Sequence, residues 1–121
     1  MPRERNEAWE HHLAMDIMPD AYDEEEQVMS WYYYLEEKLH FPFKARCIKA
    51  RLKSPLEVGE IVQVIGMPGE DEIDHEMYVK IRWQKRDLAV PLIQLEGIDV
   101  DEDTQEGISD WHYWVEQGYQ F

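Results

Sequence analysis

The chain has 121 residues, which is enough for one domain with a modest hydrophobic core. Its 12 basic and 27 acidic residues give a formal net charge of −15, which repels phosphate backbones and anionic membranes, so we expect neither nucleic acid nor membrane as a partner. With 44% hydrophobic residues, five Trp and seven Tyr, the chain is too apolar and too aromatic to be a disordered acidic tail.

The first residues, from Arg3 to Glu10, are charged and lack the apolar core of a secretory signal. No segment reaches the roughly 18 apolar residues of a membrane span. The single cysteine, Cys47, excludes an internal disulfide, which is typical of proteins from a reducing compartment. We therefore predict a cytoplasmic monomer, with residues 1–12 loosely attached at the end of the chain.

Residues 20–39 are predicted to form the first helix, with Asp20 as its N-cap. The helix is expected to end before Pro42, because the residue preceding a proline disfavours the α region. Its apolar face is formed by Val28, Trp31, Leu35 and Leu39.

Residues 44–98 are predicted to be β-structure, and five short strands in this length fit a small SH3-like barrel. Residues 88–95 look like the strand, 3₁₀ turn and final strand that close such barrels. The predicted strands are Lys44–Ala50, Val58–Gly66, Met77–Trp83, Leu88–Leu92 and Gly97–Ile98.

A second helix is predicted from Asp103 or Thr104 to Gln117, with Gly118 as its terminator. Asp103 and Glu106 would form its capping box. The predicted fold is thus α+β, a single domain over residues 1–121 in which two amphipathic helices flank an SH3-like barrel.

Negative charge is concentrated at both ends of the sequence. The net charge is −8 over residues 1–40, +3 over residues 41–69 and −10 over residues 70–121. Three carboxylate clusters stand out: Asp20, Asp23, Glu24, Glu25, Glu26, Glu36 and Glu37; Glu70, Asp71, Glu72, Asp74 and Glu76; and Asp99, Asp101, Glu102, Asp103, Glu106 and Asp110.

Clustered carboxylates repel one another unless a cation relieves the repulsion. Calcium takes six to eight oxygen ligands, which carboxylates supply. The alternative for each cluster is a solvated surface that keeps the protein soluble. Asp99, Asp101 and Asp103 match positions 1, 3 and 5 of an EF-hand loop, but Thr104 replaces the required Gly and Glu106 an apolar residue, so a standard EF-hand is not expected.

No arrangement of reactive side chains in the sequence indicates catalysis. The histidines and Cys47 lack zinc-site spacing, and the serines lack a nucleophile motif. We therefore predict that the protein is not an enzyme.

Several strings resemble the CcbP family, small acidic calcium-binding proteins of cyanobacteria. The resemblance covers residues 15–121 and implies a cytosolic, non-EF-hand calcium buffer, with a ligand near the end of the first helix at Glu36 or Glu37. The strings are Asp20–Glu26, Trp31–Glu36, Phe41–Ala45, Ser54–Leu56, His75–Met77, Leu88–Leu92, Asp110–Val115 and Gly118–Phe121.

The predicted function is therefore calcium binding through carboxylates of the first helix and of the segment before the second. The alternative is an acidic SH3-like interaction module that docks a basic protein partner. The predicted calcium ligands are Asp23, Glu26, Glu36, Glu37, Asp99, Asp101 and Asp103.

Overall fold

A computed structural model describes residues 6–19, 23–73 and 76–119. Within these residues the protein is α+β, as predicted, with three α-helices and five strands. Short 3₁₀ turns lie at Glu70–Glu72 and Leu92–Gln94, and a π-helical turn at Leu13–Ile17. The elements are α1 (Glu7–His12), α2 (Glu24–Lys38), β1 (Phe43–Cys47), β2 (Ile61–Gly66), β3 (Tyr78–Trp83), β4 (Arg86–Pro91), β5 (Leu95–Ile98) and α3 (Glu102–Glu116).

The strands form one antiparallel sheet in the order β4-β3-β2-β1-β5. Alternate residues of β1, namely Phe43, Ala45 and Cys47, are buried, as expected for a strand with one face against the core. Gln84 and Lys85 turn the chain between β3 and β4 with φ of 48° and 68°, the left-handed conformation that a two-residue hairpin of type I′ needs.

The predicted closure of the sheet into an SH3-like barrel is not confirmed. Strands β4 and β5 are the two edges of the described sheet, and the 3₁₀ turn Leu92–Gln94 connects them along the chain. The predicted order of strand, 3₁₀ turn and strand is present here. The sheet is open because these edges do not pair with each other.

Trp31 of α2 lies at the centre of the aromatic core, with no exposed surface. Its ring is 5.1 Å from that of Trp111 and 5.6 Å from that of Trp114, both on α3. Gly107 allows the two helices to approach closely, because a Cβ there would lie 3.2 Å from side-chain atoms of both Leu39 and Lys38. The α2 face predicted from helical spacing is thus the face that packs on α3.

Both predicted helix starts differ from those observed. Helix α2 is capped by Asp23, whose side chain accepts a hydrogen bond from Glu26 N, and the predicted cap Asp20 lies outside the described residues. Helix α3 is capped by Asp101 rather than by Asp103 or Thr104. The side chain of Asp101 accepts a hydrogen bond from Thr104 N at 2.8 Å, so the proposed Asp103–Glu106 capping box is wrong.

The described part of the N-terminal segment is not loosely attached, so that prediction was wrong. Asn6 caps α1 by accepting a hydrogen bond from Trp9 N, and the Trp9 ring stacks on Tyr113 with centroids 4.3 Å apart. Leu13 and Ile17 are buried in the core. The spacing of four between Trp9, Leu13 and Ile17 carried this signal in the sequence. None of the helices in the described segments is long and apolar enough to cross a bilayer.

We predict that Trp9→Ala lowers the free energy of unfolding by about 2–3 kcal/mol, because it removes the stack on Tyr113 and an indole hydrogen bond. Trp9→Phe keeps a ring in the stack and should cost about 1 kcal/mol. Urea denaturation monitored by circular dichroism measures both. The matched control is Leu52→Ala, since Leu52 is fully exposed. Equal stability of Trp9→Ala and the control would contradict the docking of α1.

Candidate metal centres

The predicted ligands Asp23 and Glu26 lie at the start of α2. Asp23 accepts the capping hydrogen bond from Glu26 N at 2.8 Å, and both side chains are exposed. Glu36 lies 13 residues beyond Asp23, which corresponds to about 20 Å along the helix axis. One ion therefore cannot bind both ends of α2, and the ligands predicted from this helix divide into two separate groups.

Asp99, Asp101 and Asp103 lie where β5 leads into α3. Asp99 adopts a left-handed backbone conformation with φ of 52° and is exposed. Because α3 begins at Glu102, the segment from Asp99 to Asp110 is mostly helical and cannot wrap an ion as an EF-hand loop does.

The end of α2 lies beside the start of α3, and Lys38 and His40 contact the carboxylates at this junction. His40 Nδ1 is 2.5 Å from Asp101 Oδ2, and Lys38 Nζ is 3.7 Å from Asp103 Oδ1. The hydrogen bonds from Thr104 and then His40 lower the pKa of Asp101 to about 2. Hydrogen bonds to Asp101 and the ammonium group of Lys38 near Asp103 thus already engage these carboxylates.

Glu36 belongs to a different acidic region, which we call the tyrosine face. It consists of Glu36, the 3₁₀ turn Glu70–Glu72, and the side chains of Tyr32 and Tyr33. Tyr33 donates a hydrogen bond to Glu70 Oε1 at 2.7 Å, which raises the pKa of the Tyr33 hydroxyl. Tyr32 donates to the carbonyl oxygen of Pro68, also at 2.7 Å. Both contacts hold the 3₁₀ turn against α2.

The electrostatics of Tyr32 show that the tyrosine face gathers negative charge. Burial raises the pKa of Tyr32, and the charges of Glu36, Glu70, Asp71 and Glu72 raise it further. Carboxylates from two distant segments thus act on one hydroxyl. The sequence analysis identified Glu70, Asp71 and Glu72 as a cluster but did not select them as ligands. Their separation of more than 30 residues from Glu36 gives no sign of this contact. Glu37 is exposed on the next position of α2, and Asp74 lies outside the described residues.

Asp110 forms a third centre, inside the molecule. Its side chain is 3% exposed and accepts hydrogen bonds from Trp9 Nε1 (2.5 Å), Tyr34 Oη (2.5 Å) and His12 Nε2 (2.9 Å). Burial, and then the hydrogen bond to Asp110, raise the pKa of Tyr34 well above its ordinary value. Asp110 therefore joins the N-terminal segment, α2 and α3 through one carboxylate.

His12 is the partly exposed end of this centre. Its Nδ1 is 2.7 Å from Asp16 Oδ2, and its Nε2 is 3.7 Å from Glu106 Oε1. Burial lowers the pKa of His12, but the contacts with Asp16 and Asp110 outweigh that effect and raise it. Among the described residues, the ligating atoms of His12, Glu106 and Asp110 all lie within 4.8 Å of one another. The sequence analysis did not select His12 as a metal ligand, because the histidines lack zinc-site spacing.

Comparison with known proteins identifies a family. The sequence profile described as calcium binding, CcbP type, matches residues 3–115. The crystal structure of Anabaena CcbP is 42% identical in sequence, with a TM-score of 0.86 over 98% of both chains. A calcium-binding protein solved in its calcium-binding form is 41% identical, with a TM-score of 0.85 over 98% of this chain and 97% of that one. Curated protein sequences include no significant match.

The profile covers nearly the whole chain, and both structures are far more similar than a shared fold alone requires. The resemblance seen in the aromatic strings is thereby confirmed. This chain belongs to the CcbP family of calcium-binding proteins.

Proposed function

We propose that the protein is a cytoplasmic calcium buffer of the non-EF-hand type and that the tyrosine face holds its principal calcium site. The observation that carries this proposal is the pair of hydrogen bonds, from Tyr33 to Glu70 and from Tyr32 to Pro68, that holds the acidic Glu70–Glu72 turn against α2. The charges of four carboxylates from two segments act on the hydroxyl of Tyr32. Among the ion pairs formed by the described residues, none includes any of the four.

The chemistry of this face suits a hard cation. Calcium takes six to eight oxygen ligands, and the face offers carboxylates beside phenol and carbonyl oxygens. An incoming ion would relieve the repulsion among carboxylates that the fold holds together. The junction at Asp101 and Asp103 is less suitable, because Lys38 already supplies positive charge beside Asp103, and Asp101 already accepts hydrogen bonds from Thr104 and His40.

The distribution of negative charge over the protein supports a role as a calcium buffer. The net charge of −15 concentrates cations around the whole protein, and both acidic clusters of the junction and of the tyrosine face are exposed. The site is built on helix α2 and a turn that hydrogen bonds hold against it, so binding needs no large rearrangement. We propose no catalytic role, because the family to which the chain belongs is one of calcium-binding proteins.

We predict that Glu36→Gln and Glu70→Gln each weaken calcium binding at least about tenfold, because each removes one charged ligand worth about 1.4 kcal/mol. Calorimetric titration of the full chain with calcium, and separately with magnesium, measures the effect. The matched control is Glu7→Gln, which removes the same charge from the exposed first turn of α1. Equal affinities of Glu36→Gln, Glu70→Gln and Glu7→Gln would contradict the tyrosine-face site. Absence of calcium binding below millimolar concentration would contradict calcium buffering itself.

The same titration distinguishes calcium ligands from helix caps among the other predicted ligands, which are Asp23, Glu26, Glu37, Asp99, Asp101 and Asp103. Asp23→Ala and Asp101→Ala remove helix caps, so we expect reduced stability in thermal unfolding with little change in calcium affinity. Asp103→Asn leaves both caps in place and serves as their control. A loss of calcium affinity in Asp101→Ala without a loss of stability would instead assign Asp101 as a ligand.

An acidic interaction module is the second candidate function, and the exposure of Tyr33 favours it. Tyr33 is 51% exposed among carboxylates, a surface on which an Arg side chain of a basic partner could stack. We expect a pull-down with immobilised protein to retain such a partner equally in calcium and in chelator if docking is the function. Retention that depends on calcium would assign the same surface to ion binding.

A further inference from the structure

His12, Glu106 and Asp110 bring one imidazole and two carboxylates together outside the tyrosine face. They come from α1, from the middle of α3 and from the following turn of α3. We propose that these three side chains bind a divalent transition metal of the zinc class, at a site separate from that for calcium. A water molecule would complete the coordination on the exposed side, where the Glu106 side chain is 46% exposed.

The distances between the donor atoms fit four-coordinate zinc. Zn–N and Zn–O bonds of about 2.0–2.1 Å in a tetrahedron place neighbouring ligand atoms about 3.3 Å apart. Nε2 of His12 lies 2.9 Å from Oδ2 of Asp110 and 3.7 Å from Oε1 of Glu106. These two separations bracket the required value, and the third, between the carboxylate oxygens of Glu106 and Asp110, is no more than 4.8 Å.

The side chains around the three donors orient them as metal ligands are usually oriented. The distal nitrogen of His12, Nδ1, is held by Asp16 at 2.7 Å, an arrangement that recurs in carboxylate–histidine–zinc sites. Asp110 is held through its other oxygen, Oδ1, by the indole N–H of Trp9. Two of the three ligands therefore have fixed orientations before any metal arrives.

The donor set distinguishes zinc-class ions from calcium. Calcium prefers oxygen ligands in larger number, whereas imidazole suits zinc, copper, iron and nickel. A metal here would take the place of the proton on Nε2 of His12. It would also compete with Lys38, whose Nζ is 3.5 Å from Glu106 Oε1. Removal of Lys38 should thus strengthen binding, the opposite of the effect of removing a ligand.

The site would connect parts of the chain that are far apart in sequence. His12 and Asp110 are separated by 98 positions, and α1 is joined to the rest of the fold beside them through Trp9. A metal bound by both would stabilise the docked N-terminal segment, since an ion that binds the folded state alone raises its stability by mass action.

The test uses the full chain without a histidine tag, titrated with Co²⁺ and followed by the visible absorption of the four-coordinate ion. We expect one Co²⁺ per chain, displaced by Zn²⁺ but not by millimolar Ca²⁺. His12→Gln should abolish the absorption, and the matched control His11→Gln, which changes an adjacent exposed histidine, should retain it. Glu106→Gln should weaken binding about 10- to 100-fold, and Lys38→Met should tighten it.

Glu106→Gln and Lys38→Met keep the test decisive if His12→Gln undocks the N-terminal segment, because neither residue is buried. Equal Co²⁺ binding by His12→Gln and His11→Gln, or by Glu106→Gln and the unmodified chain, would overturn the proposal. Displacement of Co²⁺ by an equal concentration of Ca²⁺ would also overturn it. Calcium titration of His12→Gln should match the unmodified chain, so failure here leaves the calcium site to be judged separately.

Discussion

The buried carboxylate of Asp110 is the interaction on which the arrangement of the helices depends. A carboxylate with 3% exposure is costly unless hydrogen bonds compensate for its lost hydration. Trp9, His12 and Tyr34 supply those bonds from the N-terminal segment and from α2. Loss of any one donor would leave a buried charge less well compensated, so the three segments hold their positions together.

Local sequence patterns predicted the elements that contain the functional side chains. The period of Val28, Trp31 and Leu35 predicted α2, and residues 88–95 predicted a strand, a 3₁₀ turn and a strand. The N-terminal helix was missed because six residues with one partly buried Trp gain little from helical propensity alone. Its stability comes from Tyr113 and Asp110, about 100 positions away, which a local pattern cannot reveal.

The candidate sites were less predictable than the fold because their residues meet through long-range contacts. Glu36 was predicted as a ligand, but the Glu70–Glu72 turn was not. The hydrogen bonds of Tyr32 and Tyr33 hold this turn against α2. Asp101 and Asp103 were predicted as calcium ligands from an acidic cluster, and the structure shows that Asp101 also caps α3. Carboxylates at helix starts satisfy backbone N–H groups, and this use of acidic residues looks identical to a metal site in a sequence.

Gly107 gives the helix pair an unusual sensitivity to small changes in volume. The missing Cβ leaves α3 in direct contact with Leu39 and with the stem of Lys38. The same Lys38 places its ammonium group between Asp103 and Glu106. The close contact at Gly107 therefore lies on the same side chain that brings a positive charge to the acidic surface of α3. An added methyl group at this position would push against Lys38 and Leu39, and so would move a positive charge relative to two carboxylates of α3.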